Sequence, residues 1–403
     1  LFLFDDARGR AWAPFHLTRP LGELLFGCLL QRERWERVTG APCAGHLAGP
    51  ELAGFREAGA APVVAPGDLD DGTDRIVVSS RAVPAHLRRM DAPDGPRTLM
   101  MDGQVVGWHL PAGTPLPEAD GLLDPSAVPE VGQVLELEGS VLDWPWDLVR
   151  TNAGRLVDDA GALLSHGGAF LLTDVHVIGD RPISLGHDVR VDPGVTIDVR
   201  EGPVRLEDGV RIRAPARLDG PLFVGRGSVI LGGEVGHASI GPVCKVRGEV
   251  EESVLLGYVN KAHDGFLGHA YLGRWVNLGA LTTNSDLKNS YSPVRVPVSS
   301  DRTVETGLLK VGCFLGDHVK TGIGTLINTG TVVGAGSNLF GGGMPPTWVP
   351  PFSWGSGAEL QPYRLEKFLE VAATVMARRD VELEDSMREL LGRAWEGTRG
   401  QRK

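Results

Sequence analysis

The sequence predicts a two-domain chain, an N-terminal α/β domain followed by a left-handed parallel β-helix and a helical tail. Three observations carry this. Apolar residues in the second half recur every six positions, glycine reaches 55 of 403 residues and gathers there, and the first half mixes short apolar runs with helical stretches. A chain of 403 residues also exceeds what one hydrophobic core supports, so two or more domains are expected.

Residues 1–145 read as an α/β, Rossmann-like domain. LFLF (1–4) and IVV (76–78) are short apolar runs of the kind that form buried strands. Leu21 to Arg37 reads as a helix, because Leu21, Leu24, Leu25, Cys28 and Leu29 fall on one face. Alternating strands and helices favour a layered α/β domain. Gly/Pro-rich residues 111–129 mark loops. Residues 146–180 read as a connecting segment, with a helix near 144–161 and Pro145 close to its start.

Residues 181–345 change period. Ile183, Val189 and Val195 are six apart, as are Val204 and Val210 after a three-residue slip. Leu315, Thr321, Ile327, Val333 and Leu339 repeat the same step. Six fits neither a helical period nor strand alternation. It fits a coil with three flat faces, each supplying one inward apolar residue and a corner, so that stacked coils bury a continuous ladder. A glycine-rich β-sandwich would not hold the step this long. Residues 346–403 read as a loop and helices. Within 362–396, Leu365, Phe368, Leu369, Ala372 and Val375 form an apolar stripe suited to packing on the β-helix or on a neighbouring subunit.

Composition excludes several classes. A net charge of -11 argues against a broad nucleic-acid surface while leaving room for local phosphate pockets. The four cysteines are scattered without a CxxC pair, which fits buried thiols in a reducing cytoplasm. No apolar stretch approaches the ~18 residues needed to span a bilayer, and the acidic pair after LFLF does not fit a signal peptide.

A coil carries no chemistry of its own, so breaks in the repeat are informative. The largest lies at 247–291, where Arg247, Asn260, Lys261, His263, Asp264, His269, Asn277, Asn284, Asp286, Lys288 and Asn289 gather. Acyl transfer from a thioester to a sugar amine needs a base near neutrality, for which histidine is the usual choice. It also needs a hydrogen-bond donor for the charge that develops on the thioester oxygen. A sugar phosphate needs Arg or Lys. The segment holds such groups.

The stretch NKAHDGFLGHAYLGRWVNLGALT (260–282) resembles the acetyltransferase half of the bifunctional glucosamine-1-phosphate acetyltransferase/UDP-N-acetylglucosamine pyrophosphorylase family, the GlmU-like proteins. Aligned on the L-G and V-N-x-G-A steps, the family's catalytic histidine falls on His263, its sugar-contacting asparagine on Asn277 and its tyrosine on Phe266. IGPVCKVRG (240–248) is similar to a second family motif and puts the sugar-phosphate arginine on Arg247. Ala280 falls on an alanine that meets acetyl-CoA through its backbone, with Thr282 beside it. Lys261, Asp286 and Lys288 are further substrate-binding candidates, and Lys320 a candidate for CoA phosphates. His269, six residues beyond His263, stands one face further round the coil and is a weaker candidate.

FDD…LTRPLGELLFG…RERWE near the start and PWDLV..N in the middle extend the resemblance over nearly the whole chain. It implies a sugar nucleotidyltransferase-like first half, in which a glycine-rich loop after the first strand cradles a triphosphate. Here DDARGRAWAPFHLTRPLGEL occupies that place. Arg8, Gly9, Arg10 and Arg19 are the nucleotide candidates, and Asp5 or Asp6 the candidates for Mg2+. The motif's lysine is Leu21, and the glycines are fewer than the family's.

The resemblance implies a transferase of nucleotide-sugar synthesis. It would use acetyl-CoA, an amino-sugar phosphate and UTP, act in the cytoplasm, and assemble as a homotrimer. Two rivals remain: nucleotidyl transfer alone with a β-helix for assembly or regulation, and a non-enzymatic sugar- or nucleotide-binding scaffold. His237, His263 and His269 lack the spacing of a three-histidine zinc site, so no metal is expected on the β-helix.

Overall fold

The computed structural model describes residues 1–91, 94–163, 174–357 and 359–402. The N-terminal domain is built on one six-stranded mixed sheet. Phe2–Phe4 runs parallel to Gly45–Leu47 on one side and to Arg75–Ser79 on the other. Gln104–Leu110, Arg97–Met101 and Gln133–Glu136 extend the sheet beyond Arg75–Ser79. Both faces are apolar: Leu3, Trp35, Val78 and Leu99 pack on one, and Phe4, Val77 and Trp108 on the other.

The helix expected over 21–37 is shorter. Leu21–Glu23 is a single 3-10 turn, Leu25–Phe26 and Leu29–Leu30 form a tight hairpin, and the α-helix spans Gln31–Thr39. Gly27 turns the hairpin at φ +65. Its N–H donates to Asn152 Oδ1 at 2.9 Å, and the Cys28 N–H donates to Asp159 Oδ2 at 3.0 Å. Those partners lie more than 120 residues away, so helical spacing of the leucines reflected burial and not helix. Asn152 and Asp159 belong to Asn152–Ala162, which with Asp147–Arg150 supplies the helices of the expected connecting segment. Of the rest of that segment, 164–173 lies outside the described residues, and His176–Ile178 already pairs in parallel with Thr196–Asp198 of the coil.

The second half is a left-handed parallel β-helix. Nine parallel strands, from Ile183–Leu185 to Trp348–Val349, stack on one of its faces. The six-residue ladder points inward as the period requires. Val195, Val204, Val210, Leu315, Ile327, Val333 and Leu339 are buried in one column, with Ile183 and Val189 packed against its open end. Each such side chain contributes roughly 1.5–3 kcal/mol by leaving water, so the column is the main store of stability in this half. The last coil is closed by Glu359–Pro362, which runs antiparallel to Ser353–Ser356 and covers that edge.

The expected tail helix is two helices, Leu365–Ala377 and Asp385–Gly397, separated at Asp380, whose φ is +57. Phe368, Ala372 and Met376 form the buried stripe. They pack together with Trp275 and Phe352 of the β-helix and with Leu52 and Phe55 of the first domain.

Candidate active site on the open edge of the coil

One coil shows how the prism is covered. Its first face is Asn260–Lys261, its second Phe266–Gly268 and its third Tyr271–Leu272. Outward residues of the third face (Val254, Tyr271, Phe314, Val332) are buried beneath Trp12, Phe15, Leu21 and Leu24 of the N-terminal domain. Tyr271 also donates its hydroxyl to the Leu25 carbonyl at 3.0 Å. The corner between third and first faces carries Tyr258, Trp275 and His318 and lies against the C-terminal helices. The corner between first and second faces keeps its exposed side chains, and His263 stands on it.

The backbone there is pinned from inside. Lys261 occupies an inward position, in register with Val246, and is buried. Its ammonium donates to the carbonyls of Arg247 at 2.6 Å, Gly265 at 2.7 Å and His263 at 3.1 Å. Burial pulls its pKa down to about 8. All three donors are used on backbone, so Lys261 holds the corner and is not a substrate ligand as the sequence reading had it. Gly265 completes the turn at φ +136, where an added Cβ would stand 2.2 Å from the Thr282 carbonyl oxygen.

On this corner Arg247 and Asp264 meet at 3.1 Å, both substantially exposed, and Arg247 also donates to the Leu231 carbonyl at 3.2 Å. The next coil brings Leu281, whose N–H bonds the Asp264 carbonyl, and the following one brings Gly324, which bonds Ala280 in the same way. Along the adjoining first face the outward residues Lys245, Asn260, Asn277, Lys320 and Asn338 form a polar column. Asn260 donates to Asn277 Oδ1 at 2.8 Å. Burial lowers the Lys320 ammonium to about 8, and its Nζ bonds the His318 carbonyl. His263, Arg247 and Ala280 thus share this corner, with Asn277 and Lys320 in the polar column of the adjoining first face.

Three other expected residues fall elsewhere. Thr282 lies inside the prism, its hydroxyl 2.7 Å from that of Thr321, so it does not face a cofactor. Asp286 and Lys288 sit past the second face, at the root of an excursion from the coil that contains the hairpin Arg295–Pro297/Thr303–Glu305. Lys288 donates to the Pro293 carbonyl, and Asp286 pairs with His269 at 2.8 Å. That histidine–carboxylate pair was underrated in the sequence. Its signal was spacing: 17 residues, about one coil, separate the two.

The first-domain candidates are largely committed to structure. Arg19 is 1% exposed and ties the domains together through Glu57 at 2.8 Å and Asp317 of the β-helix at 2.9 Å, so it is not a nucleotide ligand. Asp6 gives both carboxylate oxygens to Arg81 and one also to the Gly9 N–H. Asp5 is buried, accepts the Leu21 N–H, and is pushed toward its neutral form by burial. Asp6 has both oxygens engaged, whereas Asp5 Oδ1 is buried without a hydrogen-bond partner among the described residues. Leu21, in the motif lysine's place, is itself core. Arg8 pairs with Asp143 and lies over Trp144, while Arg10 bonds the Asp5 carbonyl at 2.9 Å.

Known proteins match parts of the chain. Residues 1–167 match the family model for sugar nucleotidyl transferases. A bifunctional sugar-1-phosphate nucleotidylyltransferase/acetyltransferase of Sulfurisphaera tokodaii is 33% identical over 96 residues, 24% of each chain. A bifunctional protein GlmU of Nitrosospira multiformis is 26% identical over 179 residues, 39% of this chain and 35% of that one. The chain thus spans about a quarter to a third of the length of these relatives. Among solved structures, a UDP-N-acetylglucosamine acyltransferase from Campylobacter jejuni aligns over 56% of this chain and 92% of its own, at 15% identity and a TM-score of 0.31. With a match to sugar nucleotidyl transferases over residues 1–167 and a parallel β-helix behind it, the chain is similar to these bifunctional proteins over the stretches that align.

Proposed function

We propose that this chain transfers an acetyl group from acetyl-CoA to the amine of an amino-sugar phosphate, at the corner bearing His263. The observation that carries the reading is that an exposed imidazole, His263, and an exposed arginine, Arg247, which pairs with the neighbouring Asp264, stand on the same uncovered corner of the coil, over a backbone locked by Lys261. As the amine attacks the thioester carbonyl, His263 takes its proton. The carbon–sulfur bond breaks and the CoA thiolate leaves, to be protonated in turn. Arg247 grips the sugar phosphate, for which a guanidinium fork is suited. Asn277 orients the sugar, while Ala280 and Lys320 lie where CoA would run along the coil.

A homotrimer completes the groove. Leu281 is 59% exposed and Ile323 73%, both on the His263 corner, and Leu326 is 46% exposed on the second face beside it. Large apolar side chains left open on successive coils favour a subunit contact there. Residues 1–167 supply the other half of the proposal, nucleotidyl transfer to a sugar 1-phosphate from a nucleoside triphosphate such as UTP. This half rests on the family match, because the triphosphate-loop residues are mostly tied up. No helix among the described residues is long and apolar enough to cross a membrane, which fits a cytoplasmic site of action.

The test is release of free CoA thiol from acetyl-CoA on addition of glucosamine 1-phosphate. The reading expects turnover that depends on the amine. No thiol release would leave nucleotidyl transfer alone, with the β-helix serving assembly.

A further inference from the structure

On the other side of the second face, a different corner carries its own constellation. His237, Glu252 and His269 stack there on successive coils, each in the left-handed backbone region at φ +52, +48 and +49. This is the ordinary corner geometry of the coil, shared by Val243, Tyr258, Trp275 and His318 at the next corner. His269 Nδ1 donates to Asp286 Oδ2 at 2.8 Å, with the two side chains only 15% and 13% exposed. That bond fixes the ring and leaves Nε2 as its second hydrogen-bonding atom.

His269 lines a cleft of about 510 Å³, within the usual size for small-molecule sites. Three separated segments build it. Trp146, Val149 and Arg150 come from the helical segment before Asn152, Leu308, Leu309 and Lys310 from the excursion, and Glu252 and His269 from the coil. The walls are mainly apolar, and Leu309 and Tyr291 remain 51% and 71% exposed. Lys310 is exposed and enters no ion pair among the described residues, while Arg150 is half exposed beside Asp147. The cleft thus offers a face for a ring, an oriented imidazole, and the cations Lys310, near the Glu252 carboxylate, and Arg150, bonded to Asp147 at 3.1 Å.

We propose that this cleft is a second small-molecule site, which takes a phosphate-bearing ligand with a ring body and a hydroxyl or amine. The ring lies on Trp146, Leu308 and Leu309, the phosphate meets Lys310 and Arg150, and His269 Nε2, steadied by Asp286, accepts the hydrogen bond of the hydroxyl or amine. The site is separate from the His263 corner and needs no acyl transfer to exist.

The full chain, labelled at histidine Cε1, would be titrated with glucosamine 1-phosphate, with inorganic phosphate and with neutral N-acetylglucosamine, following the His269 resonance assigned through His269→Gln. The proposal expects a saturable shift with the sugar phosphate, weaker responses to either fragment, and at least a tenfold rise in apparent Kd in Lys310→Glu and in Leu309→Asp. A signal that ignores the sugar phosphate, or an unchanged Kd in both variants, overturns it. So does a signal that responds only to protein concentration, which would mean that a second copy of the chain fills the cleft. The His263 resonance reports on the other corner in the same spectra. Failure at His269 with a response at His263 leaves the acetyl-transfer reading standing, and the converse leaves this one.

Discussion

His263→Ala is expected to lower acetyl transfer by roughly 10²-fold or more while leaving acetyl-CoA and sugar-phosphate binding largely intact. The His263 side chain is exposed on a corner whose backbone is held by three hydrogen bonds from Lys261. Removing the imidazole therefore removes a proton acceptor without loosening the coil. Steady-state kinetics at saturating substrates, with the melting temperature as a check on folding, separates the two effects. Turnover within a few-fold of the parent would remove His263 from the mechanism.

The second large effect is on stability. Asp317→Ala is expected to cost about 3–5 kcal/mol, because it breaks a buried ion pair and leaves the partner charge in place. Asp317 Oδ2 accepts from Thr18 at 2.7 Å and Arg19 at 2.9 Å, and Oδ1 accepts from the Arg274 N–H at 2.7 Å. All of these groups are buried, and Glu57, the other carboxylate at Arg19, is already shared with Arg274 at 3.3 Å. The loss would appear as a lower urea midpoint. It would reach both halves of the chain, since Thr18 and Arg19 belong to the first domain and Asp317 to the coil. A change below about 1 kcal/mol would mean that the domains are held by their apolar contact alone.

What the sequence made legible follows from how local each feature is. The inward ladder from Val195 to Leu339 could be read because a β-helix repeats in sequence what it repeats in space. The His263 corner was legible through its motif, and Arg247, Asn277 and Ala280 fell near it. What could not be read depended on distant partners. The leucines at 21–29 are spaced like a helix but are buried under the third face of the coil and around a turn held by Asn152 and Asp159. Arg19 looked like a phosphate ligand until Asp317, almost 300 residues away, was seen to hold it. Thr282 and Lys261 sit at polar breaks in the hexad, and only the inward register distinguishes such residues from ligands. The His269–Asp286 pair could have been found by searching for titratable residues one coil apart.

The most direct measurement is a structure of the full chain with acetyl-CoA and glucosamine 1-phosphate bound. The account predicts the sugar amine within hydrogen-bonding reach of the His263 imidazole, its phosphate on Arg247, and the thioester chain running along the corner past Ala280 and Leu281. Both ligands lying away from that corner, with the residue 263 imidazole touching neither, would contradict it.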